Sequence, residues 1–219
     1  MVHALARVLL TCTVLLGAVS HEHANADSTP LTPAALGDPQ QVIPYIIDRD
    51  FAKRYVQLEL PAFSIDLPIW REVRPVLVIR FGQGFEFQFR GPDDEILEIL
   101  HFYEVDIDPG PADARFEVLE RFLMRGDTPT AAWRGENVEV HQIRRWMDGE
   151  VPVLDITASY DEPELGQTLL LTRGYPHPVQ RRGVRIISRI PVAGRDIANP
   201  DDLADTFSAK VVKSLRFVP

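Results

Sequence analysis

Three carboxylates alternate along Glu104-Val105-Asp106-Ile107-Asp108, so an extended backbone places all of them on one face. Gathered carboxylate oxygens are what a hard cation such as calcium takes, provided loop carbonyls complete six or more ligands. Without an ion, such a row repels itself or faces water. Glu104, Asp106 and Asp108 are therefore candidate metal ligands set against a plainer reading, a solvated strand face. Histidine chemistry in the body of the chain rests on three side chains. His101 lies among Leu97, Ile99, Tyr103 and Val105 and reads as a buried, neutral, hydrogen-bonded ring. His141 shares a polar face with Asn137 and Glu139, where the acid can orient the ring. His177 sits in Gly174-Tyr175-Pro176-His177-Pro178; the prolines hold that loop extended, and loops carry contacts more often than strands. Ser64, Ser159, Ser188, Ser208 and Ser214 are available as nucleophiles, but none stands on a recognisable elbow. The sequence has no P-loop, no G-x-G-x-x-G before a helix, no H-E-x-x-H and no EF-hand loop.

Arginine is the other residue whose spacing suggests chemistry. Arg173, Arg181, Arg182, Arg185 and Arg189 follow one another closely, and Arg144 and Arg145 precede them beside Trp146. Brought together by a sheet, they make a cationic patch for carboxylate or phosphate. The competing reading is internal pairing with Asp155, Asp161, Glu162 and Glu164. Trp and Arg are enriched at interfaces, so Trp146, His177, Arg181 and Arg182 form the expected partner-binding set. No cofactor is expected. The chain as a whole is acidic, with 32 Asp and Glu against 23 Lys and Arg and a net charge of −9. That balance argues against a general nucleic-acid binder.

These residues need elements to position them. Arg7, the apolar run Val8 to Val19 and the small-x-small triplet Ala24-Asn25-Ala26 read as a secretory signal cleaved after Ala26. The run is too short for a membrane span, and nothing later is long enough. The protein is expected to be periplasmic or secreted, with residues 1–26 removed. Cys12, the single cysteine, leaves with the signal. Residues 27–41 are rich in Pro and lack periodicity, the pattern of a flexible leader. Residues 42–219 are expected to form one α+β domain.

Within it, period-two apolar patterns mark strands. They run through Val56, Leu58 and Leu60; through Phe63 to Leu67; and through Val76 to Phe81. The clearest is Phe85, Phe87 and Phe89 alternating with Glu86, Gln88 and Arg90, a half-buried strand. A long strand carries Leu97 to Ile107. Further strands cover Asn137 to Trp146, Val153 to Tyr160, Gln167 to Thr172 and Val184 to Val192, with Asp148-Gly149 as a hairpin turn. A helix is expected from Asp113, with Phe116, Leu119, Phe122 and Leu123 inward and Gly126 at its end. A second is capped by Asn199, begins at Pro200 and buries Leu203, Phe207, Val211 and Leu215. The result is a central antiparallel sheet covered by helices, the last one packed on the sheet.

Phe63-Ser64-Ile65-Asp66-Leu67-Pro68 and Lys210-Val211-Val212-Lys213-Ser214-Leu215-Arg216-Phe217, together with this order of elements, resemble the PsbP family and its bacterial relatives. The resemblance implies an α/β/α sandwich in a secreted accessory protein without catalysis, and carries over no site residues. Ile43 to Leu60 departs from the family pattern by preceding the usual opening strand. Three functions follow as expectations. The first is an exported accessory protein binding an envelope protein or an anionic ligand. The second is a small-molecule or lipid carrier whose cavity is lined by Phe85, Phe87 and Phe89. The third is a hydrolase assembled from scattered residues.

Overall fold

Nearly every stretch of apolar alternation forms a strand. The computed structural model describes residues 31–124, 136–163, 165–192 and 200–218. The expected signal segment with Cys12, the expected helix end Gly126 and the expected helix cap Asn199 lie outside them. A seven-stranded antiparallel sheet is built from β3 (Arg74–Arg80), β4 (Gly84–Arg90), β5 (Ile96–Asp106), β6 (Glu136–Asp148), β7 (Val151–Glu162), β8 (Gly166–Pro176) and β9 (Arg182–Pro191). Its order is β3-β4-β5-β9-β8-β7-β6. A second, three-stranded antiparallel sheet has the order β1-β2-β10, from β1 (Gln41–Ile47), β2 (Phe63–Ile69) and β10 (Arg216–Phe217).

The fold is thus mainly antiparallel sheet, and helices cover only part of it. One face of the large sheet packs against the small sheet and α4 (Phe207–Lys213). The rings of Phe85 and Phe102 stack at 4.9 Å, Phe63 of the small sheet lies 5.6 Å from Phe102, and Phe207 lies 5.5 Å from Phe89. Phe85, Phe87 and Phe89 are all buried in this packing, so their face is filled by protein. On the opposite face α3 (Ala112–Met124) seats Phe116, Leu119 and Leu123 on Val105, Ile107, Leu154 and Ile156. Gly174 makes that seat possible: a Cβ there would come within 2.7 Å of the Leu119 side chain.

Three local expectations give way. Val56, Leu58 and Leu60 do not form a strand. Asp48 caps a short helix α2 (Arg49–Phe51), accepting from the Phe51 amide at 2.6 Å, and the chain continues as a π-helical turn over Ala52–Val56. Burial of Val56 and Leu60 meets the apolar requirement that alternation had suggested. The leader is anchored from Leu31 onward: α1 (Pro33–Leu36) is capped by Thr32, and Trp70 donates its indole N–H to the Gly37 carbonyl at 2.9 Å. The C-terminal helix is divided. Pro200–Asp205 is a 3-10 turn, and α4 starts after Thr206, whose hydroxyl accepts from Ala209 N. Leu203, Phe207, Val211 and Leu215 are nevertheless buried as the periodicity requires.

A second group fixes where α4 begins. Glu98 of β5, fully buried, accepts from the amides of Phe207 at 3.1 Å and Ser208 at 2.8 Å. A carboxylate here satisfies two helix-terminal donors at once. Replacing Glu98 by Ala is expected to cost about 2–3 kcal/mol, since it strands buried amides as well as losing the bonds. A urea midpoint equal to that of the native chain would show that the amides find other acceptors.

Strand β6 is an outer edge of the large sheet. Its pairing with β7 shifts register between Glu136 and Glu139 and again between Val140 and Gln142. Asn137 sits there at φ 55, in the left-handed region.

Candidate functional site

The π-helical turn that replaces the expected strand builds one wall of a cleft. Ala52 and Val56, four apart, are buried and pin the turn to the core. Arg49 and Lys53, also four apart, therefore project from the same side of the turn. Gln57 ends the turn at φ 60, a left-handed conformation that costs a non-glycine residue energy. π-helical turns recur at functional sites. Facing this wall is the loop from β8 to β9, which brings Gln180 and Arg182. Between them lies a cleft of about 560 Å³, whose floor includes Leu58 and Leu60.

His177 organises the facing loop. Its Nδ1 accepts from the amides of Val179 at 3.2 Å and Gln180 at 3.1 Å. Its own amide donates to the Arg182 carbonyl, and its carbonyl accepts from the buried Arg115 guanidinium at 2.6 Å. Burial lowers the ring's pKa, and the charges of Arg49 and Arg115 lower it further. The ring is thus a neutral acceptor that shapes the loop, with only 6% of the residue exposed.

Arg181 and Arg182 stand together beyond it, but not as a cationic patch. Arg182 binds Glu59 at 2.8 Å, Glu104 at 2.9 Å and Asp106 at 2.8 Å. Arg181 binds Asp106 at 2.9 Å and approaches Asp108 at 3.3 Å. Two cations thus meet four carboxylates. The hydrogen bond from Arg181 holds Asp106 below the usual carboxylate range, and that from Arg182 does the same for Glu59. The three carboxylates considered as metal ligands are therefore engaged by guanidinium groups, and among the described residues no cluster of His, Cys, Asp and Glu is arranged to hold a metal ion. In the same cleft Arg49 and Lys53 form no ion pair among the described residues, and Lys53 adds a weaker, more distant pull on Glu59.

Trp146 lies elsewhere, on β6, separated from β9 by β7 and β8. Its indole N–H donates to Asp155 at 3.1 Å, and the Arg173 guanidinium lies 5.2 Å from its ring while binding Asp155 at 2.7 Å. The internal pairing expected for the arginines is thus found for Arg173. Arg189 likewise binds Glu162 at 2.8 Å, and Arg145 binds Glu120 of α3.

The histidines read for catalysis separate by environment. His101 is buried, with Nε2 3.1 Å from the Gln83 carbonyl, Nδ1 3.4 Å from Glu86 and the Tyr103 ring stacked at 3.8 Å. Burial pushes its pKa down to about 4, against the pull of Glu86. Glu86 in turn is fully buried and accepts from Arg80 at 2.9 and 3.1 Å and from Gln88 at 2.7 Å, with Arg189 at 3.6 Å. Burial opposes its ionisation, yet those partners hold its carboxyl below the usual range. Strand β4 is therefore buried on both faces, not half-buried. His141 Nε2 lies 2.8 Å from the Ser159 hydroxyl, but Glu139 stands 3.9 Å from the other ring nitrogen. An activated serine needs its base oriented at hydrogen-bond distance, which this surface pair lacks.

Sequence reasoning missed Arg49, Lys53 and Gln57. The available signal was Asp48, a helix-capping residue three before Phe51, which competed with the alternation that follows.

No family model and no curated protein matches this sequence. Among solved structures, the chain is similar to the solution structure of cyanobacterial PsbP (CyanoP) from Synechocystis sp. PCC 6803. The identity is 13%, the match covers 81% of this chain and 92% of that one, and the TM-score is 0.48. The likeness is one of overall fold.

Proposed function

We propose that this chain is an exported, non-catalytic accessory protein that works by capturing an anionic group of a partner in the cell envelope. The signal-like N-terminus supports export, and no described helix is long and apolar enough to cross a membrane. The observation that carries the binding reading is the cleft. Two cations on one side of a helical turn, neither in an ion pair with a described carboxylate, line a cavity within the size range of ligand sites.

The structure changes which variant tests this. Charge reversal at Arg181 and Arg182 would set new carboxylates against Glu59, Glu104 and Asp106 and disturb the end of the sheet. The double variant Arg49→Glu/Lys53→Glu breaks no described ion pair. It is expected to keep the native urea midpoint and to weaken capture of the partner by about tenfold or more. The measurement is capture from a periplasmic extract, with the retained species identified by mass and its binding repeated with purified material. Capture equal to that of the native chain rejects the cleft as the contact site.

A further inference from the structure

We infer that the cleft between the π-helical turn and the β8–β9 loop is a site for a small organic anion, a carboxylate or phosphate monoester carrying a short apolar body. The inference rests on the binding function proposed above and names its ligand. Arg49 and Lys53 supply two positive charges from one side of the turn; neither is in an ion pair with a described carboxylate, and Lys53 acts on Glu59 only at a distance, while Glu59 is held by Arg182. Their donors suit oxyanions: the guanidinium offers a planar fork and the ammonium a point charge. The positive field of this corner also registers on His177, whose pKa is lowered in part by Arg49.

The rest of the lining selects a body for that anion. Leu58 and Leu60 give the lining an apolar portion, and Gln57 and Gln180 add uncharged polar residues to it. An inorganic ion would leave most of the 560 Å³ to water, whereas an alkyl chain of moderate length fills it against the leucines. Glu59 is the one acidic residue in the lining, and it is held by Arg182 at 2.8 Å. Its presence sets a ceiling on anion affinity, so neutralising it is expected to tighten binding.

Isothermal titration of the full chain with octanoate, octyl phosphate, octanol and inorganic phosphate tests this directly. Octanoate and octyl phosphate are expected to bind one to one. Octanol and inorganic phosphate are expected to bind at least about tenfold more weakly, one lacking the charge and the other the apolar body. Lys53→Gln is expected to weaken octyl phosphate binding about tenfold, and Glu59→Gln to strengthen it severalfold. Arg144→Gln, on the distant edge strand, is expected to change nothing.

Co-sedimentation with phosphatidylglycerol vesicles separates a free anion from a lipid surface. Binding to vesicles without binding to the soluble amphiphiles would overturn the inference in favour of a membrane interface. Absence of saturable binding to every soluble probe, or binding indifferent to Lys53→Gln, would also overturn it. Capture of the partner is scored separately. If it still depends on Arg49 and Lys53 while the probes fail, the binding function stands and only the ligand class falls.

Discussion

Glu86→Ala is expected to lower the stability of the fold by about 3–5 kcal/mol, the range found when one member of a buried charge pair is removed. Glu86 is fully buried on β4, and Arg80, Gln88, His101 and Arg189 all converge on it. Its removal leaves buried Gln88 and largely buried Arg189 with fewer acceptors. Arg189 keeps Glu162, and Tyr160 donates its hydroxyl to the same Glu162 at 2.6 Å, so the cluster loses its centre but not its far end. Glu86→Gln retains one acceptor oxygen and is expected to fall between the two. The exposed pair partner Asp94, bound to Arg74 and Arg90 at the end of the same hairpin, serves as the comparison. Asp94→Asn, which keeps a residue suited to the left-handed backbone at φ 65, is expected to leave the urea midpoint nearly unchanged, because exposed ion pairs contribute little. Equal midpoints for Glu86→Ala and the native chain would show that the network is incidental to folding.

The second large effect is on pH. His101 has its pKa pushed from 6.5 to about 4 by burial. Between those values the unfolded chain binds a proton that the folded chain refuses, so stability rises with pH through that window. It is fully present above pH 6.5 and is lost as pH falls toward 4, by about 3 kcal/mol in all. His177 is lowered as well and acts in the same direction. Glu86, whose carboxyl is held below its usual range, contributes in the next window, as pH falls below 4.5 through its folded pKa. Urea midpoints should therefore be nearly level from pH 7.5 to about 6.5 and fall between there and pH 4. His101→Leu should flatten the upper part of the slope whatever its effect on stability at pH 7. A native chain with equal midpoints at pH 7 and pH 5 would mean that the ring is charged in the folded state.

What was legible in the sequence was local. Alternation located β2 to β9, the Asp148-Gly149 turn joins β6 to β7, and helical spacing selected the buried side chains of α3 and α4. The misses share a cause. Period two in Phe85, Phe87 and Phe89 signals an inward face, but says nothing about the other face, where the partners of Glu86 include Arg189, about a hundred residues away. Val56, Leu58 and Leu60 fit a strand pattern as well as a helical turn, and Asp48 decides between them through one hydrogen bond. The patch of Arg181 and Arg182 was legible as charge but not as neutralised charge, because Glu59, Glu104 and Asp106 approach from other elements. Segment 43–60, which precedes β2, is the part that supplies Arg49 and Lys53 to the cleft.

The irregular pairing of β6 has a consequence for the protein among its own copies. A long outer strand offers its free amides and carbonyls to any second chain, and Val140, Ile143 and Met147 stand exposed along this one. The two register shifts and the left-handed Asn137 break the regular spacing of those groups over its first half. A neighbouring molecule therefore finds an even ladder only from Gln142 to Asp148. The strand is thereby discouraged from zipping into fibrils at the concentrations reached in a crowded compartment.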